Sequence, residues 1–210
     1  MKYFLVCVLY VMCFMFLVSC STVPAVVETV QSPVIPDPPK KKIVLAWGEG
    51  KQEWTDHLIA EIDKAKWNPA IENYCKTVSL KECVAQAVSI LSKYESGFKT
   101  GEQFTESFED SKGNPVISRG LLQLSFESAN QKAYSCGLKT PEDLHDAKIN
   151  LSCGVKIVNY WLNRDLIFFG EKFDPVKNKM IYFGLGRYHS VGRSPSKSNI
   201  KIKTYLEGLR

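Results

Sequence analysis

Histidine is scarce in this sequence: there are three in 210 residues, His57, His145 and His189, far apart and outside any His-Glu-x-x-His run. A zinc protease therefore has no ligand set. None of the seven cysteines falls in a CxxC pair, which weakens a cysteine metal site, and a thiol protease would need a reduced cysteine paired with a histidine. Gly184-Leu185-Gly186 lacks both the fuller glycine pattern of a phosphate cradle and a strand ahead of it. No metal and no cofactor is expected. Charge of one sign is also modest. With 27 basic and 22 acidic residues the net charge is +5, and aromatic and basic residues do not interleave. Nucleic acid is excluded as a partner, whereas an anionic polymer or a membrane surface suits the balance.

One long apolar run is present, at the start. Lys2 gives a short positive head and Tyr3 to Val18 is nearly continuous hydrophobe, the pattern of an export signal. It ends in Leu17-Val18-Ser19-Cys20, which resembles a bacterial lipoprotein signal, where small residues admit a peptidase and the Cys20 thiol receives the lipid. The rival is a signal anchor that stays attached, since the run approaches the length of a short transmembrane helix. A Ser/Thr/Pro linker follows Cys20 at once and favours the lipoprotein. Ser21 stands where inner-membrane lipoproteins carry aspartate. Given a Gram-negative bacterial host, the resemblance implies a lipid anchor in the outer membrane of the cell envelope, with the protein facing the periplasm.

Residues 1–19 are read as signal and 20–42 as a lipidated tether, with five prolines between Thr22 and Lys42 and little that could bury. Residues 43–210 form the folded part. The roughly 150 residues beyond Trp54 suffice for one core and not for two. Cys75, Cys83, Cys136 and Cys153 remain there, an even number in an exported chain, and three pairings are open. Cys75 with Cys83 and Cys136 with Cys153 is favoured, because each closes a short segment between predicted helices.

The pattern is mainly α. Ile43 to Trp47 reads as an edge strand or an arm laid on the domain. Gln52 to Lys66 is helical, with Trp54, Leu58 and Ile62 on one face and His57 one place off it as a structural or surface histidine. Asn68-Pro69 opens a short helix. Lys99 to Pro115 has no helical period and reads as a long acidic loop carrying Glu102, Glu106, Glu109 and Asp110, fastened by Phe104 and Phe108. It is either a groove wall that supplies a second carboxylate or a solvated flap. Thr140-Pro141 starts a short helix ending near Ala147. A long central helix then runs to about Arg164 on Leu151, Val155, Val158 and Leu162. Asp174-Pro175 is expected to open another, with Val176, Met180 and Phe183 inward. Gly184 to Gly192 reads as a loop presenting Tyr188 and His189, and Asn199 to Leu209 as a closing helix.

The best-marked helix starts at the capping box Ser79/Glu82 and stops at Gly97. Val84, Ala87, Val88, Leu91 and Tyr94 form its apolar stripe, and Glu95 falls on that stripe too. A carboxyl group on the buried face of a C-terminal turn meets desolvation and the negative end of the helix dipole, both of which favour its acid form. That is the environment a general acid needs. The competing reading is a structural glutamate, paired with a buried arginine or placed at a domain edge.

Four separated motifs then arrive in order: Glu95-Ser96-Gly97-Phe98, Ser118-Arg119-Gly120-Leu121-Leu122-Gln123-Leu124, Asn150 with Gly154, and Arg187-Tyr188-His189-Ser190. From about Leu80 to Tyr205 the chain resembles the soluble lytic transglycosylases, which share the lysozyme-like fold with goose-type lysozymes. The resemblance implies a single lysozyme-like domain with a long central helix and an active-site cleft, acting on peptidoglycan glycan strands. Glu95 would be the catalytic acid and base, oriented by Ser96. Gln123 would line the cleft floor and Tyr188 would steady Glu95 or the scissile sugar, with Ser118 and His189 also bordering the substrate. Cleavage at the β-1,4 bond between N-acetylmuramic acid and N-acetylglucosamine would leave 1,6-anhydromuramoyl ends.

Two departures from that family are visible. The segment between Glu95 and Gly120 is longer and more acidic than the shortest family pattern, so Glu106 or Glu109 is a candidate to position water for lysozyme-type hydrolysis, or to recognise deacetylated glycan. His189 stands where the group carries asparagine. A third reading is a non-catalytic peptidoglycan-binding lipoprotein of an envelope complex.

Overall fold

The computed structural model describes residues 42–188 and the single positions 204 and 208. The signal, Cys20, the tether, His189 and the helix expected over Asn199 to Leu209 lie outside the described residues. Residues 1–40 and 41–210 are separate units.

The segment from Ile43 to Trp47 is an arm, not an edge strand. Leu45 and Trp47 are buried, Ala46 N donates to Ser89 Oγ at 3.2 Å, and Trp47 Nε1 donates to Thr55 Oγ1 at 2.9 Å. A 3-10 turn, Glu49–Lys51, leads into α1 (Gln52–Lys64), which buries Trp54, Leu58 and Ile62 as their spacing requires. Asn68 Oδ1 accepts from Ala70 N and opens α2 (Pro69–Glu72).

Ser79 Oγ accepts from Glu82 N at 3.2 Å and starts α3 (Leu80–Ser96). Gly97 stops the helix in the left-handed conformation at φ 60°, where only a glycine is free of Cβ strain. A 3-10 turn, Pro141–His145, stands where the short helix was expected. Asp146 then caps the long helix that ends at Asp165, accepting from Lys148 N and Ile149 N. The Cys75–Cys83 and Cys136–Cys153 disulfides form as the spacing suggests. No described helix is long and apolar enough to cross a membrane.

The departure from a mainly α pattern lies in two hairpins, which make the domain mixed α and β. The stretch read as an acidic loop pairs as β1 (Gln103–Glu109) against β2 (Pro115–Arg119), with β3 (Leu124–Ser125) beyond it in an antiparallel sheet. Its turn is organised by Asp110, whose Oδ1 accepts from Lys112 N and Asn114 N, each at 2.8 Å. The bonds from Asn114 above all hold that carboxyl below its ordinary range. Phe104 and Phe108 do not fasten this segment, being 61% and 60% exposed. A short helix, α4 (Phe126–Ala129), follows β3. The long helix Ala147–Asp165 is then α5, and its Leu151, Val155, Val158 and Leu162 are buried.

The second hairpin replaces the helix expected from Asp174-Pro175. β4 (Phe169–Asp174) pairs with β5 (Lys179–Gly184) in unbroken register. Asp174 Oδ1 accepts from Val176 N at 3.0 Å and Lys177 N at 3.2 Å, so the carboxylate caps a turn. The same Asx chemistry serves helix starts and turns, and here the turn prevails. Val176 is accordingly 91% exposed, and Met180 and Phe183 are not core. β5 runs directly into α6 (Leu185–Tyr188), where a loop was expected.

Candidate active site

Glu95 sits in the last turn of α3, one residue before its end. The residue is half-buried and its Oε1 is out of contact with solvent. Tyr94, expected inward, is instead at the surface. Next to Glu95, the buried Ser96 hydroxyl lies 3.1 Å from Ser92 O and 3.0 Å from Leu121 O. The first contact is local to the helix. The second ties the turn that carries Glu95 to the turn that follows β2.

That second turn spans Gly120 to Gln123 and is built to one shape. Gly120 has φ 75° and Gln123 has φ 46°. Gly120 N donates to Glu102 O at 2.8 Å. Gln123 Nε2 donates to Glu102 O at 3.1 Å and Gly120 O at 2.9 Å, so its amide nitrogen braces the turn. From α5, fully buried Asn150 completes the arrangement. Its Oδ1 accepts from Leu122 N at 3.0 Å, and its Nδ2 donates to Arg119 O at 3.1 Å and Leu144 O at 2.9 Å. The sequence marked Asn150 only as a motif position. The signal for its structural work was a carboxamide beside Leu151 on a buried helix face.

The sheet brings a second carboxylate toward this turn. Ser118 Oγ donates to Glu106 Oε1 at 2.6 Å. Ser118 immediately precedes Arg119 and Gly120, so a short continuous path links Glu106 to the turn tied to Ser96. Glu109 is not on that path. It is exposed, pairs with Pro115 beyond a register shift in β1, and belongs to the hairpin tip.

Gly184 ends β5 where an added Cβ would overlap Ile167 O and Phe168 O. Leu185 N donates to Phe168 O at 2.8 Å and Leu185 is buried, which fixes the start of α6. The backbone of Tyr188 lies at the end of α6, and its side chain is outside the described set. A strand does precede Gly184-Leu185-Gly186, contrary to the sequence reading. It belongs to an antiparallel hairpin, however, and the full phosphate-binding glycine pattern is still missing.

His57 Nε2 lies 2.8 Å from Ser152 Oγ and 3.0 Å from Lys148 O, joining α1 to α5. His145 Nδ1 lies 3.0 Å from Thr100 O. Both described histidines thus have structural partners. Among the described residues no three or more His, Cys, Asp or Glu side chains gather as metal ligands.

With this geometry in view, the chain is similar over 80% of its length to the solved structures of Bd0314 DslA, a Bdellovibrio protein. Against one DslA variant the identity is 34% and the TM-score 0.68, with 97% of that chain covered. Against a wild-type form the values are 33%, 0.67 and 97%. The chain belongs to the DslA family. Two of the DslA structures carry a glutamate-to-glutamine substitution, at positions 143 and 154 of that protein's own chain, a separation of 11. No family model and no curated protein matches.

Proposed function

We propose that this DslA relative is a peptidoglycan lytic enzyme of lysozyme-like fold. It cleaves the β-1,4 bond between N-acetylmuramic acid and N-acetylglucosamine, with Glu95 as acid and base. The observation that carries the reading is the carboxyl group at the end of α3, with Oε1 buried and its neighbour Ser96 tied to Leu121. Burial and the helix C-terminus both disfavour negative charge there. A proton donor to a leaving sugar oxygen is served by that setting.

Glu95 first gives its proton to the oxygen departing from C1 of the muramic acid, and the acetamido group shields the developing cation. Glu95 then takes the proton of the same sugar's C6 hydroxyl as that oxygen closes onto C1. The product is a 1,6-anhydro end, formed without water or a second carboxylate. Tyr188 is assigned the steadying role that the family resemblance implies.

A second reading is favoured by the Ser118–Glu106 hydrogen bond. Two glutamate pairs in this chain have a separation of 11, Glu61 with Glu72 and Glu95 with Glu106. Glu61 is paired to Lys64 on α1 and Glu72 is exposed on α2, whereas a path through Ser96, the Gly120 turn and Ser118 links the neighbour of Glu95 to Glu106. On this reading Glu106 positions a water that attacks C1, making the reaction a lysozyme-type hydrolysis. The same carboxylate would also suit the ammonium group of a deacetylated glucosamine.

Mass spectrometry of muropeptides released by the full chain, beside a Glu95→Gln control, separates these outcomes. Anhydro ends absent from the control support the first reading, and reducing ends one water heavier support the second. No release from acetylated or deacetylated murein would leave a peptidoglycan-binding envelope lipoprotein. The envelope location rests on the sequence at Cys20, and loss of fatty-acid labelling in Cys20→Ser is its test.

A further inference from the structure

We propose that Phe104 is the stacking platform of a sugar subsite, taking one pyranose ring of the glycan beside Glu106; the proposal rests on the glycan-cleaving reading above. Three observations meet here. Phe104 pairs directly with Ser118 across the β1–β2 ladder, and residues opposite each other on paired strands share a face. The Ser118 hydroxyl holds Glu106, which lies two residues along β1 from Phe104. Phe104 is also 61% exposed and is absent from the hydrophobic core and its packed surroundings.

An exposed phenylalanine is unremarkable by itself. Its position next to an anchored carboxylate gives this one a use. One face of a pyranose ring presents C–H bonds and stacks on an aromatic ring, while the hydroxyl and amino or acetamido substituents project from the rim. Two residues of extended strand span about 7 Å. A sugar lying on Phe104 therefore brings rim substituents of its own ring or of the neighbouring ring toward Glu106. The aromatic surface supplies affinity that does not depend on the substituent, and the carboxylate supplies selection among substituents. Phe108, though 60% exposed, lies four residues along β1 from Phe104 and has no direct partner in the ladder, whereas Phe104 is paired with Ser118.

The test uses the full chain carrying Glu95→Gln, so that the glycan survives titration. The probe is a tetrasaccharide of alternating N-acetylglucosamine and N-acetylmuramic acid, in acetylated and partly deacetylated forms. Adding Phe104→Ala should weaken calorimetric binding about tenfold. Phe104→Trp should restore it, and the indole it introduces should change its emission on saturation. Equal affinity for the Phe104→Ala variant, or no change in the emission of the introduced indole at saturation, overturns the subsite while leaving the glycan reading intact. Failure of the Glu95→Gln parent to bind either glycan overturns the glycan reading and the subsite with it.

Discussion

Gly120 packs against Asn150 so closely that a single added carbon would overlap the carboxamide nitrogen and Leu144 O. Asn150 in turn holds the backbone on both sides of that glycine, at Arg119 O and Leu122 N. Two residues of opposite character thus set the position of one turn. Gly120→Ala meets both this overlap and a φ of 75°. Asn150→Ala removes a partner from three backbone groups, two of them in buried hydrogen bonds. Each change should cost about 3 kcal/mol or more. The check is a urea titration read against the parent, and a midpoint within error of the parent for either variant contradicts the account.

Glu95→Gln is nearly isosteric and should leave the unfolding midpoint within about 0.5 kcal/mol of the parent. Turnover on murein should drop by about 1,000-fold or more, since the substituted group neither gives nor takes a proton. Tyr188→Phe should lower turnover less. Murein release at the parental rate by Glu95→Gln would remove that residue from the chemistry.

Ser118→Ala removes the hydroxyl that holds Glu106 while leaving the carboxylate in the chain. If Glu106 works in the reaction, this variant should lose about tenfold in turnover, and Glu106→Gln should lose more. The paired comparison is informative because Ser118 is a positioning residue with no proton to give the substrate. Full activity in both variants would return Glu106 to the role of a surface acid.

The two disulfides close short segments, with sequence separations of 8 and 17. Chain-entropy arguments assign them about 2.5 and about 3 kcal/mol respectively. Replacing Cys136 and Cys153 by alanine should therefore lower the melting temperature more than replacing Cys75 and Cys83, as read by calorimetry. The reverse order would show that local packing outweighs loop closure.

The helical parts were legible because each carries its own punctuation. Ser79 and Glu82 open α3, Gly97 closes it, and the buried stripe of α5 reads directly from Leu151 to Leu162. The candidate acid was legible for a related reason: Glu95 interrupts an apolar stripe. The hairpins were not legible. β1 has no alternating apolar face, because nearly all of its residues are exposed on both sides, so period-two reasoning had nothing to find. Around Asp174 the sequence was ambiguous, since Asp-Pro initiates helices and turns with the same side-chain hydrogen bonds. The bracing role of the Gln123 amide and the part played by Asn150 depend on contacts across 21 and 28 residues, which no local pattern reveals.

The Asp110 turn has a consequence for how this family can diversify. The side-chain bonds of Asp110 that close it lie within residues 110–114, while the base of the hairpin is held from α5 through Asn150. Tip and base are therefore independent modules. The tip can be lengthened, shortened or recharged over generations without moving the acid at the end of α3. Relatives could then keep the same turn beneath the end of α3 while differing widely at the hairpin tip.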